Sequence, residues 1–325
     1  MAANIEDMLR EQLDGRRQRL QDAIATRGRS SELARLLDEV DAALKRMDEG
    51  TYGLCETCHD PIETERLMAD PLMCFCLDHL TPVQRRALEE DLELALRIQK
   101  GLLPQQDIRV RGLEVAYHYQ GAGLVSGDYC DLVDSGESNL YFILGDVSGK
   151  GVAASMLMAH LHAMFRTLIS FGLPLAQIVE RASRVFSQST LPTHYATLVC
   201  GKVSGSGEME VCNAGHFPPL LVSSGAVKGI DATGLPLGVF GAQEFSTARV
   251  HFGAGSTLFL YTDGLYEAED RSGTEYGAER LGKFLSEHAA LDPRALIDAC
   301  VKDCSAYQGG LPNRDDLTIM AIHHI

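Results

Sequence analysis

An α+β protein is predicted, with antiparallel sheets covered by helices behind a helical N-terminal region that carries a cysteine cluster. Three observations predict it. From residue 112 onward, short apolar strand candidates outnumber helix candidates and are joined by tight turns such as Asp134-Ser135-Gly136 and Ser204-Gly205-Ser206-Gly207. Such turns favour antiparallel pairing over a βαβ alternation. Before residue 50, apolar residues recur at helical spacing, and residues 50–80 break that spacing and hold four of the nine cysteines.

Two domains are expected for 325 residues, and the 45% apolar and 23% charged content is that of an ordinary globular chain. A net charge of −16 argues against nucleic acid as a partner, since a phosphate backbone needs a basic face. No run of about 18 apolar residues is evident, so no membrane span is expected. The N-terminus lacks the basic and apolar regions of a signal peptide. An odd cysteine count, partly clustered, fits a reducing cytoplasm better than a disulfide framework.

The elements follow in order. Residues 1–50 read as a helical hairpin, with helices over 4–26 and 31–49 joined by Thr26-Arg27-Gly28-Arg29-Ser30. Leu33, Leu37, Val40, Leu44 and Met47 make one stripe on the second helix. Residues 51–80 form a small cysteine-bearing module. Helix resumes over 81–104, with Thr81 as N-cap, Pro82 in the first turn and Gln84 three residues after the cap. Leu88, Leu92, Ala95, Gln99 and Leu102 keep a heptad-like seam along this connector helix. In the region 105–325, strands are expected at 113–120, 126–133, 139–146, 195–203, 208–213, 218–222, 247–251, 256–262 and 316–322. Helices are expected at 151–171, 174–189, 277–288 and 293–307.

Two groups of residues have the types that hold metals. Cys55 and Cys58 are two residues apart, as are Cys76 and His79, with seventeen residues between the pairs. Such knuckles supply the tetrahedral sulfur and nitrogen shell that structural zinc prefers. Cys74 and His59 lie close enough to substitute for the third and fourth ligands. The second group is four aspartates at strand edges: Asp128, Asp146, Asp263 and Asp315, with Asp316 next to the last. A carboxylate at a strand end is costly to dehydrate unless it is paired or holds a cation. Oxygen-only donors select Mg²⁺ or Mn²⁺.

Other motifs are weaker. Gly145-Asp146-Val147-Ser148-Gly149-Lys150 is not a Walker loop, since three residues rather than four separate its glycines and Gly151 follows the lysine. Lys150 reads as a solvated charge at a helix start. His160 and His162 read as surface or core residues, and Asn213-Ala214-Gly215-His216 as a turn between strands.

Residues 30–80 resemble the DksA/TraR zinc-finger family through Asp48-Glu49-Gly50-Thr51-Tyr52-Gly53-Leu54-Cys55-Glu56-Thr57-Cys58, Pro61-Ile62, Arg66-Leu67 and Cys76-Leu77-Asp78-His79. The resemblance implies one structural Zn²⁺ on Cys55, Cys58, Cys76 and His79, with His79 where that family usually has a fourth cysteine. Arg27 and Arg29 stand at the hairpin tip where the polymerase regulators present acids. That departure points to a structural or partner-docking finger.

From residue 82 onward the chain resembles the SpoIIE/RsbU-type protein serine/threonine phosphatases, the bacterial branch of the metal-dependent PPM family. The carrying segments are 94–104, Ser126-Gly127-Asp128-Tyr129-Cys130-Asp131, Gly145-Asp146-Val147-Ser148-Gly149-Lys150-Gly151, Asn213-Ala214-Gly215-His216-Phe217-Pro218-Pro219, Gly234-Leu235-Pro236-Leu237-Gly238, Tyr261-Thr262-Asp263-Gly264 and Arg314-Asp315-Asp316-Leu317-Thr318. The fold implied is an α-β-β-α sandwich with metals at one edge. Carried over, Asp146 bridges two Mn²⁺ or Mg²⁺ ions, the Val147 carbonyl and Asp128 serve the first, and Asp263 and Asp315 hold the second. Glycines 145, 149 and 151 are expected to turn the backbone sharply beside the phosphate. Ser148 stands where eukaryotic relatives have a histidine, so water is expected to protonate the leaving group.

The resemblance implies hydrolysis of phosphoserine or phosphothreonine by a water shared between the ions. The implied substrate is a phosphorylated STAS-type anti-sigma-factor antagonist in a partner-switching pathway. The competing readings are a non-catalytic pseudophosphatase scaffold and a DksA-like RNA polymerase effector. A homodimer through the helical segments and regulation of the phosphatase by residues 1–103 are further expectations.

Overall fold

The computed structural model describes residues 2–27, 31–79, 82–136, 139–191, 193–239, 243–311 and 313–325. The expected turn residues Gly28, Arg29 and Ser30 and the expected cap Thr81 lie outside the described residues. The chain divides into two compact units, Met1–Glu90 and Asp91–Ile325.

In the first unit, α1 (Ala2–Arg27) and α2 (Ser31–Asp48) lie antiparallel. Arg10 pairs with Asp48 at 2.8 Å and Arg17 with Asp41 at 2.7 Å, so positions rise along one helix as they fall along the other. Leu9 and Leu13 pack against Val40, Ala43, Leu44 and Met47, and this core continues into Cys55, Ile62, Leu67 and Cys76. A short helix α3 (Thr64–Ala69) and a 3₁₀ turn at Leu77–His79 complete the unit. Helix α4 (Pro82–Leu102) spans the boundary.

The second unit holds β1 (Ile108–Val110), β2 (Leu113–Gln120), β3 (Tyr129–Asp134), β4 (Asn139–Val147), α5 (Gly151–Ile169), α6 (Leu175–Ser189), β5 (Ala196–Ser204), β6 (Glu208–Ala214), β7 (Leu220–Ser223), β8 (Ala226–Gly229), β9 (Ala248–His251), β10 (Thr257–Tyr261), α7 (Asp263–Tyr266), α8 (Gly277–Glu287), α9 (Pro293–Gln308) and β11 (Leu317–His324). One sheet runs β1-β2-β11-β10-β7-β8 and the other β3-β4-β5-β6-β9. Every pairing between these strands is antiparallel.

Strand periodicity builds the layers. On β4, Leu140, Phe142 and Leu144 enter the core between the sheets, whereas Tyr141, Ile143 and Val147 pack under α5 and α6. On β10, Leu258 and Leu260 face the inter-sheet core, and Phe259 and Tyr261 face α8 and α9. Both faces of these central strands are covered, which is why Tyr141-Phe142-Ile143-Leu144 reads as an unbroken apolar run. The result is an α-β-β-α sandwich.

Several sequence expectations need correction. β1 and β8 were not predicted, because three- or four-residue edge strands carry no clear alternation. Helix α5 is, by length and composition alone, apolar enough to cross a membrane. Ala154, Met158, Leu161, Phe165 and Ile169 bury one face of it in the core against β3 and β4, while Val152 and Met156 are exposed. Gln99 is not a seam residue. It is buried, donating from Nε2 to the Ser126 carbonyl at 2.7 Å and accepting from the Ser126 amide at 3.1 Å. Gly145 does not turn the chain: it lies inside β4, where a side chain would strike Thr197 and Leu198 of β5. Gly149 and Gly151, at φ of 99° and 72°, make the turn.

Candidate metal centres

Topology places the aspartates at one edge. The start of β3 lies beside the end of β4, with Tyr129 opposite Gly145, so Asp128 and Asp146 are neighbours on one sheet. The end of β10 lies beside the start of β11, with Tyr261 opposite Ile319, so Asp263 and the Asp315-Asp316 pair are neighbours on the other. The two pairs meet through Asp128. Its Oδ2 accepts from the Thr262 hydroxyl at 3.0 Å and from the Thr318 hydroxyl. These threonines were not singled out in the sequence, although both stand inside its motifs.

Asp128 is fully buried, and its Oδ1 has no hydrogen-bond partner among the described residues. Burial first, and the Asp146 charge second, push its carboxyl well above the usual range. Asp146 is pushed up to about 8 by burial and by Asp263 and Asp315. Asp263 is pushed up to about 6 by burial and by Asp315. Carboxylates that repel one another around an orphaned buried oxygen fit divalent cations, which supply the missing charge and the missing partner. The Val147 carbonyl faces this space across Gly127, where an added Cβ would approach it to 3.0 Å.

The structure separates Asp315 from Asp316. Both Asp316 oxygens are used by backbone amides, Ala122 at 2.7 Å and Gly127 at 2.8 Å. Asp316 therefore fastens the loop ahead of Asp128. Asp315 instead meets the Lys150 ammonium at 2.8 Å.

His162 and His216 have structural partners. His162 lies 3.7 Å from Asp131, a fully buried carboxylate held by Arg166 at 2.7 and 3.0 Å. His216 is buried and its imidazole is held neutral, down to about 4, by burial.

In the first unit, Cys55, Cys58, Cys76 and His79 bring one donor atom each to within 4.8 Å of the others. Among the described residues this is the one group of three or more such donors drawn that close, and it does not include Cys74 or His59. Cys58 and Cys76 sulfurs are 3.7 Å apart, and Cys76 Sγ is 3.2 Å from His79 Nδ1. Donors at about 2.0–2.3 Å from a tetrahedral zinc lie about 3.3–3.8 Å from each other, close to these two separations. Burial would raise the Cys55 thiol, but backbone amides of Cys58, Cys76 and Thr57 bring it down to about 6, while the Cys58 thiol, hydrogen-bonded to the Cys55 and Cys76 sulfurs, is pushed up to about 12.

Residues 136–325, more than half of the chain, match the family model described as Stage II sporulation protein E (SpoIIE). The chain belongs to the SpoIIE family. The phosphoserine phosphatase RsbP of Bacillus subtilis is 27% identical over 185 residues, covering 55% of this chain and 46% of RsbP. The phosphoserine phosphatase RsbU of the same organism is 23% identical over 216 residues, covering 66% of this chain and 64% of RsbU. The chain thus spans less than two thirds of the length of either relative. The SiaA-PP2C domain of Pseudomonas aeruginosa superposes with a TM-score of 0.65 at 19% identity, covering 74% of this chain and 97% of that domain. At that identity the likeness is one of fold: the SpoIIE-family unit is a mixed α/β, PP2C-like phosphatase fold with two antiparallel sheets and helices.

Proposed function

We propose that this SpoIIE-family chain is a metal-dependent protein serine/threonine phosphatase. The observation that carries the reading is Asp128, buried with an unpartnered oxygen among mutually repelling carboxylates where the two sheets meet. Asp128, Asp146, the Val147 carbonyl, Asp263 and Asp315 would hold two Mn²⁺ or Mg²⁺ ions. When bound, those ions would supply an activated water and screen the phosphate charge. The chain's own residues do the rest. Thr262 and Thr318 orient Asp128 so that its free oxygen remains available. Asp316 fastens residues 122–127. Gly149 and Gly151 make the turn that follows Asp146.

The relatives named phosphoserine phosphatases support a phosphorylated protein as substrate. Resemblance to the RsbU type favours a phosphorylated STAS-type anti-sigma-factor antagonist. At the N-terminus, Cys55, Cys58, Cys76 and His79 would bind one structural Zn²⁺ in a DksA/TraR-like finger, and ligand thiols go with a reducing, cytoplasmic setting. The test is phosphate release from a phosphoserine peptide, with and without Mn²⁺, by wild type, Asp146→Ala and Asp263→Ala. Metal-dependent release lost in both variants is expected. No release by zinc-replete, manganese-loaded wild type would sink the proposal.

A further inference from the structure

His216 is buried, yet neither of its ring nitrogens is idle. Nε2 lies 3.1 Å from the Tyr261 carbonyl, which can only accept, so Nε2 carries the proton and donates. Nδ1 is therefore bare and accepts from the Thr197 hydroxyl at 2.8 Å. The two partners belong to different sheets. Thr197 stands on β5 directly opposite Asp146 of β4. Tyr261 ends β10, two residues before Asp263. One rigid ring thus joins the sheets at the level of two aspartates that come from opposite sides of the sandwich.

The backbone that carries the ring is fastened in turn. Asn213 Oδ1 accepts from the His216 amide at 2.8 Å, and its Nδ2 donates to the His216 carbonyl at 3.2 Å. Gly215 sits at φ 68° with the Pro236 ring where a Cβ would stand, so a larger residue is excluded there. A buried histidine satisfied at both ends would be ordinary core structure if its partners were remote from the aspartates. Here one partner faces Asp146 across a ladder and the other leads into Asp263.

We propose that His216 is a positioning residue that sets the separation of Asp146 from Asp263, and through it the affinity of the site for divalent cations. The inference rests on the metal-site reading above. Groups that orient metal ligands without touching the ion commonly change affinity ~10- to 100-fold when removed.

The experiment uses the full, zinc-replete chain and Mn²⁺ as the probe. Bound Mn²⁺ is counted by electron paramagnetic resonance, and melting is recorded without Mn²⁺. Wild type and Asp146→Asn come first: if wild type binds no Mn²⁺ that Asp146→Asn removes, the metal-site reading itself fails. Given that binding, Thr197→Val and His216→Leu are expected to weaken it ~10- to 100-fold while still melting cooperatively. His216→Gln, which keeps a donor for Tyr261, is expected to recover much of the loss. In the double variant the effects should be less than additive, as for residues sharing one interaction. Wild-type Mn²⁺ affinity in Thr197→Val and His216→Leu would overturn the inference. So would a fall in melting temperature with unchanged affinity in the folded fraction. If His216→Leu does not fold, Thr197→Val decides alone.

Discussion

Lys150 Nζ stands 2.8 Å from Asp315 Oδ2 and 2.9 Å from the Arg314 carbonyl. The sequence suggested a solvated charge, and the side chain is indeed 63% exposed, but it is paired across 165 positions of the chain. Its ammonium is held above the usual range by the Asp315 hydrogen bond. A cation at Asp315 must share that carboxylate with Lys150. Lys150→Met is therefore expected to lower the Mn²⁺ concentration for half-maximal binding about two- to fivefold, the scale of an exposed ion pair. A Mn²⁺ titration checks it, and weaker binding would mean that Lys150 orients Asp315 instead.

Asp315 and Asp316 should fail in different ways. Asp316→Ala leaves the Ala122 and Gly127 amides without acceptors, a loss of about 2–5 kcal/mol of stability. Asp315→Asn should leave the melting temperature near wild type and remove metal-dependent phosphate release. Denaturant melts and activity on both variants separate the roles. Equal destabilisation would contradict the assignment.

Stability without Mn²⁺ should fall as pH rises. Asp146 and Asp263 titrate near 8 and near 6 in the folded chain, above the unfolded value of about 4. Between those values the native state holds more protons than the unfolded one, so their contribution is full below about pH 4 and lost toward about pH 8. Cations relieve the same repulsion. The melting-temperature gain from Mn²⁺ is thus expected to be larger at about pH 8 than at about pH 5.5. Melts at both pH values, with and without Mn²⁺, test the sign.

Zinc content should follow the donor geometry. Cys76→Ser is expected to lose the metal and to loosen the core formed by Leu9, Leu13, Val40 and Met47, because Cys76 is part of it. Cys74→Ser, outside the donor group, should retain about one zinc per chain. Elemental analysis of the two proteins decides between the ligand sets.

Much of the architecture was legible in the sequence because its signals are local. The strand expected at 139–146 emerged as β4 because its apolar run is a local signal, and the cysteine spacing marked one donor group. Thr262, Thr318 and His216 were opaque for the opposite reason. Their roles come from partners far along the chain, Asp128 for the threonines and Thr197 and Tyr261 for the histidine. Gln99 misled because a polar residue at a seam position reads as a lapse in the pattern, whereas its amide grips the backbone of Ser126. The neighbours Asp315 and Asp316 cannot be told apart until the amides of Ala122 and Gly127 are placed beside one of them.

The central claim is metal-dependent hydrolysis of a protein phosphoester at the Asp128–Asp146–Asp263–Asp315 edge. Its most direct test is phosphate release from a phosphoserine-bearing STAS-type protein by the full chain, titrated with Mn²⁺, for wild type and Asp146→Asn. The account predicts release that rises with Mn²⁺ in wild type and is absent in Asp146→Asn. Release that ignores Mn²⁺, or that survives in Asp146→Asn, would contradict it.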